Sequence, residues 1–352
     1  MSGFYSGKKV FITGHTGFKG SWLCAVLACL GAEVTGYALD PPTKPSLFEM
    51  SGLEKRIHSI RGDIRDLERL GAAVRESEPE IVFHLAAQPL ERESYRQPVL
   101  TYETNVMGTV HLLESVRGTS SVRSLVNVTT DKVYYNEEKE EGYREEDRLC
   151  GRDPYSNSKS CSELVTEGYK DSFFGQRNLS VSTARAGNVI GGGDFAKDRI
   201  IPDCIRDTEA GRKIVIRNPH SVRPYQHVLE PVFAYLLLAE MQEKDRAIAG
   251  CYNIGPEPED MIDTAGLADC FCRAWGETAE WVHCSDGGPR EANILRLDCT
   301  KAKNKLGWKP VWNVCKAVEK TVEWEKMRQS GVDSWEILLK QIQEYEKDRD
   351  LK

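Results

Sequence analysis

The octapeptide TGHTGFKG at 13–20 constrains this chain more than any other stretch. It joins a short β-rich run, KKVFI at 8–12, to a mostly apolar helical run, SWLCAVLACL at 21–30. Three glycines in the pattern G-x-x-G-x-x-G each answer a separate need at such a junction. Gly14 permits a tight turn, Gly17 lets backbone N–H groups at a helix start approach a pyrophosphate, and Gly20 lets the helix sit close on the strand. Three glycines alone are a weak signal; the strand before them and the helix after them make the pattern specific.

The alternation continues down the chain. EVTGYAL predicts a second strand ending at Asp40, a small strand lies near IHSIRGDI, and LERLGAAVRESEP reads as an amphipathic helix closed by Pro79. EIVFHLAA is a third clear strand, TYETNVMGTVHLLESVR one long helix, and SLVNVTT and LSVSTARAGNV two further strands. Strands alternating with helices predict an α/β fold, a Rossmann-type doubly wound parallel sheet covered on both faces. From Gly187 onward the sequence turns glycine-rich and less regular. The expected division is a dinucleotide-binding domain over 1–187 and a smaller C-terminal α/β substrate-binding lobe over 188–352. That lobe is discontinuous, because a helix near 224–243 returns to the first domain. The C-terminal EILLKQIQEYEKDRD, with mixed charge at helical spacing, reads as a solvated helix with a frayed end.

Composition excludes several function classes. With 47 Lys plus Arg against 54 Asp plus Glu, the net charge of −7 argues against a general nucleic-acid binder. No apolar run approaches the roughly 20 residues that span a bilayer, and MSGFYSGKKV lacks the features of a secretory signal. The 11 cysteines are scattered and odd in number, so free thiols in a reducing cytoplasm are expected. The histidines show no zinc-ligand spacing, and no metal is expected.

Three groups of residues carry chemistry. Asp40 lies 20 residues after Gly20, where a carboxylate can accept from an adenosine ribose; its charge favours NAD over NADP, a preference softened by nearby Lys44. Asp63, beside Ile64, could accept from an adenine amino group or simply close a turn. In DPYSNSKSCSELV, Tyr155 and Lys159 stand at i and i+4 on one helix face, with Pro154 at the helix start. A free tyrosine has a pKa of about 10. A neighbouring ammonium and a nicotinamide cation would stabilise the phenolate, which could then take an alcohol proton as its hydride leaves. The alternative is an ordinary surface pair. Thr130, Asp131 and Lys132 follow the apolar strand SLVNV at its carboxyl end, where open α/β sheets place their ligands. The bland alternative for Asp131 and Lys132 is an exposed ion pair worth little.

Four segments together resemble the extended short-chain dehydrogenases/reductases that act on nucleotide sugars: TGHTGFKG, HLAAQP at 84–89, TNVMGT at 104–109 and YSNSK at 155–159. Longer phrases, among them GYALDPPTKPSLFE, RAGNVIGGGDFAKDRIIPD, RPYQHVLEP and LDCTKAKNKLGWKP, are similar to the subgroup that dehydrates CDP-glucose at C4 to C6. The resemblance implies an internal oxidation, elimination and reduction, with NAD as a retained oxidant and CDP-4-dehydro-6-deoxyglucose as product, feeding deoxysugars of the O-antigen type. Tyr155 would take the 4-OH proton, Thr130 would hydrogen-bond that hydroxyl, Lys159 would hold the ribose and lower the Tyr155 pKa, and Asp131 would protonate the leaving 6-OH. Lys132 stands where related dTDP-glucose enzymes carry a glutamate as C5 base. It is either a base of depressed pKa or an electrostatic stabiliser of the enolate.

By the same resemblance the cofactor meets Gly14, His15, Thr16, Gly17, Phe18, Lys19 and Gly20, with His15 and Lys19 shaping the phosphate end or serving structure alone. It also meets Asp40, Asp63, Ile64, Ala86, Ala87, Tyr155 and Lys159. The substrate meets Gln88, Asn188, Arg199 and Arg223, the arginines neutralising its diphosphate. Relatives associate through two long helices, here those around TNVMGTVHLLESV and SNSKSCSELVTEGY, which implies a homodimer or homotetramer. Two departures lie near the sugar pocket. Glu91 stands where a small apolar residue is usual, and YYNEEKEEGY lacks a customary tryptophan. The competing readings are another nucleotide-sugar 4,6-dehydratase, a 4-epimerase, which has no use for Asp131, and a dinucleotide-sensing scaffold, which has no use for Thr130, Tyr155 and Lys159.

Overall fold

Parallel pairing requires each strand to be followed by a crossover, and the chain supplies one after nearly every strand. In the computed structural model, which describes residues 3–284 and 293–351, β1 (Lys9–Thr13) passes through the glycine loop into α1 (Phe18–Cys29). There follow β2 (Glu33–Ala38), α2 (Leu47–Met50), β3 (His58–Arg61), α3 (Leu67–Ser77) and β4 (Ile81–His84). Next come α4 (Glu91–Arg96), α5 (Pro98–Tyr102), α6 (Gly108–Arg117), β5 (Ser124–Val128), α7 (Pro154–Tyr169) and β6 (Ser180–Ala186). The second half runs β7 (Val189–Ile190), α8 (Ile200–Glu209), β8 (Ile214–Ile216), β9 (Gln226–His227), α9 (Leu229–Lys244) and β10 (Cys251–Ile254). It closes with α10 (Thr264–Trp275), β11 (Trp281–His283), α11 (Thr300–Leu306), α12 (Val314–Gln329) and α13 (Ser334–Asp350).

Seven of these strands form one parallel sheet in the order β10-β6-β5-β4-β1-β2-β3. Their sequences read as continuous apolar runs because helices cover both faces; every residue of β4, β5 and β6 is buried. The order reverses at β1, which pairs with β2 on one side and β4 on the other. A crevice opens at the carboxyl ends of strands at such a point. Here Thr13 Oγ1, 2.7 Å from His84 Nδ1, accepts from the backbone N–H groups of Leu85 and Ala86, each at 3.2 Å, so the ends of β1 and β4 are tied together.

A smaller lobe forms where β8 and β11 pair in parallel and bury Ile214 and Ile216 with Ile201, Leu267, Phe271 and Val318 from α8, α10 and α12. Between the two bodies the chain crosses several times. The helix expected over 224–243 begins only at Leu229, because the preceding residues pair with β7: Gln226 N–H donates to Asn188 O (3.0 Å) and Val228 N–H to Ile190 O (2.9 Å). β10, four residues long and following α9, adds an edge to the main sheet beside β6. The long helix read over TYETNVMGTVHLLESVR is divided by a π-helical turn, Glu103–Met107, beyond which Gly108 lies against Ile64; a Cβ there would fall 2.3 Å from Ile64 Cδ1.

The expected solvated C-terminal helix is corrected by the packing of α13. Ile337, Leu338, Ile342 and Tyr345 are each no more than 2% exposed. Leu338, Ile342 and Tyr345 fall at i, i+4 and i+7, an apolar stripe that the surrounding charges hide from a composition-based reading. Tyr345 donates its hydroxyl to the fully buried Glu230 of α9 (2.7 Å), which also accepts from the backbone of Val311 and Trp312.

Candidate active site

The glycine loop is built as a cradle. Gly14 adopts a φ of +82° that disfavours side chains, and a Cβ there would lie 2.7 Å from Ala86 N. A Cβ on Gly20 would lie 2.1 Å from Gly14 O, so only glycine lets α1 approach the strand end. Gly17 differs: the nearest atom to a Cβ there is Gly14 O at 3.5 Å, an ordinary contact. Packing within the chain does not demand this glycine; it leaves clear the ground in front of α1. The 12-residue helix starts without a side-chain cap and without an acidic residue in its first turn, so its first N–H groups face that ground unpaired by side chains. These features fit the diphosphate of a dinucleotide.

The flanking residues divide. The His15 imidazole turns inward, 2.7 Å from Ser59 Oγ and edge-on to Phe48; burial and the nearby Arg61 push its pKa down to about 4. It can therefore offer a phosphate only its backbone. Thr16 Oγ1 donates to Leu39 O at 2.9 Å, and the half-buried Phe18 ring borders Gly191. Lys19 reaches across to α9 and donates to Tyr235 Oη at 3.2 Å. Burial, with Arg199 and Lys159 adding repulsion, lowers its pKa to about 7. Asp40 stands 90% exposed just beyond β2, paired with Arg61 Nε at 3.1 Å rather than with Lys44. Both carboxylate oxygens of Asp63 are held by Arg65, which keeps its pKa below the usual range. Ile64 is buried, with its carbonyl accepting from His111 Nδ1 at 3.0 Å. Ala86 and Ala87 are half-buried where the loop after β4 faces Gly14.

At the end of β5 the chain enters a short 3₁₀ turn, Asp131–Val133, capped by Thr130. Thr130 Oγ1 donates to Asp131 Oδ1 at 2.9 Å and lies close enough to Tyr155 to favour its phenolate. Asp131 is 1% exposed and its Oδ2 has no partner. Burial raises its pKa against the opposing pull of Lys132, Thr130, Arg223 and Lys19. Tyr155, near the start of α7 behind Pro154 and the Asp153 cap, is likewise raised by burial, with Lys132 and then Thr130 pulling the other way. Lys159 sits one turn further on, buried, donating to Val128 O at 3.2 Å, and burial lowers its pKa to about 8. Lys132 behaves in the opposite way. Burial opposes its charge, but Glu91 Oε2, in contact with its Nζ, and Asp131 hold the ammonium above the ordinary lysine range.

The helix bearing Tyr155 and Lys159 is pinned by a pair that carried no sequence signal. Glu163 and Arg185, both 2% exposed, meet at 2.9 Å, and the carboxylate also accepts from Thr129 and Thr183. From the smaller lobe, Arg199 at the start of α8 pairs with buried Asp194 (2.9 Å), and its charge is felt at Tyr155 and Lys19. Arg223, 6% exposed, donates to Val222 O at 2.9 Å, and its charge reaches Asp131 and Lys132. The fold thus brings Thr130, Asp131, Lys132, Tyr155, Lys159, Arg199 and Arg223 into one cluster. Asp40, Asp63 and Ile64 lie apart, around the ends of β2 and β3. Asn188 is half-buried, its carbonyl engaged by Gln226. Gln88 spends its side chain on its own loop and on α5: Oε1 accepts from Leu90 N–H (2.7 Å), while Nε2 donates to Leu90 O (3.1 Å) and to Thr101 Oγ1 of α5 (3.0 Å). Tyr235 and Arg61 join the site only through tertiary contacts. Glu91 had one signal, its unusual charge next to HLAAQP.

The family model described as GDP-mannose 4,6 dehydratase matches residues 11–321. The chain is 48% identical over 348 residues to the CDP-glucose 4,6-dehydratase of Salmonella typhimurium strain LT2, covering 97% of each. Among solved structures, a UDP-glucose-4-epimerase from Stenotrophomonas maltophila with NAD and formylated UDP-arabinopyranose aligns at a TM-score of 0.81 and 21% identity, over 92% of this chain and 100% of that one. A dTDP-glucose 4,6-dehydratase from Bacillus anthracis in complex with NAD aligns at 0.75 and 21%, over 94% and 99%.

Proposed function

The chain belongs to the GDP-mannose 4,6 dehydratase family, and on that footing we propose that it converts CDP-glucose to CDP-4-dehydro-6-deoxyglucose with NAD as a retained cofactor. The backbone of Gly14, Gly17 and Gly20 would hold the NAD pyrophosphate, with Ala86 and Ala87 beside it, Asp40 and Lys159 on its riboses, and Asp63 and Ile64 toward its adenine. The chemistry NAD supplies when bound is hydride acceptance from the sugar C4 and hydride return to C6, and its cationic ring favours a phenolate beside it. Tyr155 removes the 4-OH proton, and Thr130 orients that hydroxyl. Asp131 donates a proton to the departing 6-OH. Arg199 and Arg223 face the substrate's diphosphate and sugar, with Asn188 at the rim.

The observation that carries the dehydratase reading is Asp131. It is a buried carboxyl whose pKa burial raises, whose second oxygen is unpaired, and whose partner Thr130 stands beside the same tyrosine that serves the oxidation. A 4-epimerase has no leaving group for it to protonate. The test is incubation of the pure protein with CDP-glucose and NAD, reading the alkaline ultraviolet absorbance of a 4-keto-6-deoxy product. Product from dTDP-glucose or GDP-mannose but not from CDP-glucose refutes the substrate assignment.

A homodimer or homotetramer is part of the same proposal. Tyr95, Val99, Tyr102, Met107, Leu164 and Phe173 are each between 37% and 70% exposed, and all lie on α4, α5, α7, the π-turn after α5 and a second π-turn, Lys170–Phe174, after α7. A second copy that covered this face would bury it. Light scattering reads the mass. Among the described residues no helix is long and apolar enough to cross a membrane. The scattered, odd-numbered cysteines support a cytoplasmic site of action.

A further inference from the structure

Removing the C5 proton of a 4-keto sugar requires a base, and Lys132 is badly placed to be one. Its Nζ contacts Glu91 Oε2, and that contact, with Asp131 behind it, favours the protonated ammonium. An ammonium has no lone pair to offer a C–H bond. The other carboxylates around the cluster are engaged elsewhere. Glu163 is locked to Arg185, Thr129 and Thr183. Asp194 is held by Arg199 and the Ala196 N–H, and Asp153 caps α7. Asp131 is reserved as the acid. Glu91 remains. It opens α4, its side chain 22% exposed beside the 26% exposed Lys132, and its approach is set by the Gln88 side chain clamping Leu90 immediately before it.

We propose that Glu91 is the base that removes the C5 proton and that Lys132 is the ammonium that steadies the resulting enolate. The assignment rests on the dehydratase reading above. The C5–H bond breaks, its proton passes to a Glu91 carboxylate oxygen, and its electron pair forms the C4–C5 enolate, whose oxygen carries the charge that Lys132 faces. The enolate pair then moves to C5–C6 as the C6–O bond breaks, and the hydroxide leaves as water with the Asp131 proton. When hydride is returned to C6, Glu91 gives its proton back to C5. Glu91 ends as it began.

The test follows loss of deuterium from C5-deuterated CDP-glucose alongside reduced-nicotinamide absorbance and product formation, in wild type, E91Q, E91D and K132M. E91Q should lower both C5 exchange and kcat by about 10²–10⁴-fold, with KM little changed and C4 oxidation still visible as reduced nicotinamide. E91D, which keeps a carboxylate, should restore part of the exchange. K132M should slow product formation but keep C5 exchange above that of E91Q. Wild-type C5 exchange in E91Q, or exchange abolished in K132M while E91Q retains it, overturns the assignment and makes Lys132 the base. A wild-type protein that makes no product from CDP-glucose overturns the dehydratase reading itself, and this assignment with it.

Discussion

Replacing Glu163 by glutamine should cost about 3–5 kcal/mol of folding stability, the range for breaking one side of a buried ion pair. The magnitude can be built from the site. Glu163 accepts from Arg185 Nε at 3.0 Å and Nη2 at 2.9 Å, from Thr183 Oγ1 at 2.6 Å, and from Thr129 Oγ1. A charged hydrogen bond contributes about 1.5–3 kcal/mol, so losing the ionic character of the two arginine bonds alone accounts for the range. Glutamine also turns an N–H₂ donor toward donors. Arg185 keeps only Tyr134 Oη and Glu145 O, both at 2.9 Å, and neither carries the charge it needs. The measurement is equilibrium urea unfolding of E163Q against wild type, without ligand. The double variant E163L/R185M removes both charges together and should recover a large part of the loss. A single-variant cost below about 1 kcal/mol, the level of an exposed pair, would refute the reasoning. So would a double variant as unstable as the two single changes added.

Three further outcomes are expected. Asp131→Asn should keep C4 oxidation, seen as reduced nicotinamide, while lowering product formation by about 10²–10⁴-fold; unchanged turnover would remove Asp131 as the acid. Gly20→Ala should abolish dinucleotide binding measured by calorimetry, because the new Cβ would press 2.1 Å from Gly14 O; a Kd within a few-fold of wild type would contradict the cradle. On the acid side, burial lowers the folded pKa values of His15 to about 4 and of His84 and His227 to about 3, from 6.5. The unfolded chain then binds protons that the folded one refuses. Stability from these groups is complete above about pH 6.5 and is lost as pH falls toward 4 and 3. Urea midpoints that stay flat across that window would count against neutral, buried imidazoles.

What was legible in the sequence was what is local. The glycine loop, the apolar strands and the capped helix behind DPY are each encoded within a dozen residues, and parallel packing then assembles the strand ends without further instruction. β10 escaped because Cys251 and Asn253 break its apolar run, and the burial of α13, though not the helix itself, because charges interrupt its apolar stripe. The inward turn of His15 depends on Gly36 of β2 leaving room for the ring. The Lys132–Glu91 contact joins positions 41 apart, and Glu163–Arg185 spans 22; neither spacing belongs to one helix or strand, so no pattern announces them. Lys19 shows the same limit, since its partner Tyr235 is 216 residues away.

The Thr130 hydroxyl, bonded to Asp131 and set beside Tyr155, bears on how the proposed cycle restarts. Tyr155 finishes a turnover one proton richer and Asp131 one proton poorer. Already donating to Asp131, the hydroxyl needs only to accept from Tyr155 to hand that proton across by a concerted shift, without a water entering. Successive cycles would then need no proton from solvent, and the rate would be indifferent to the concentration of external buffer.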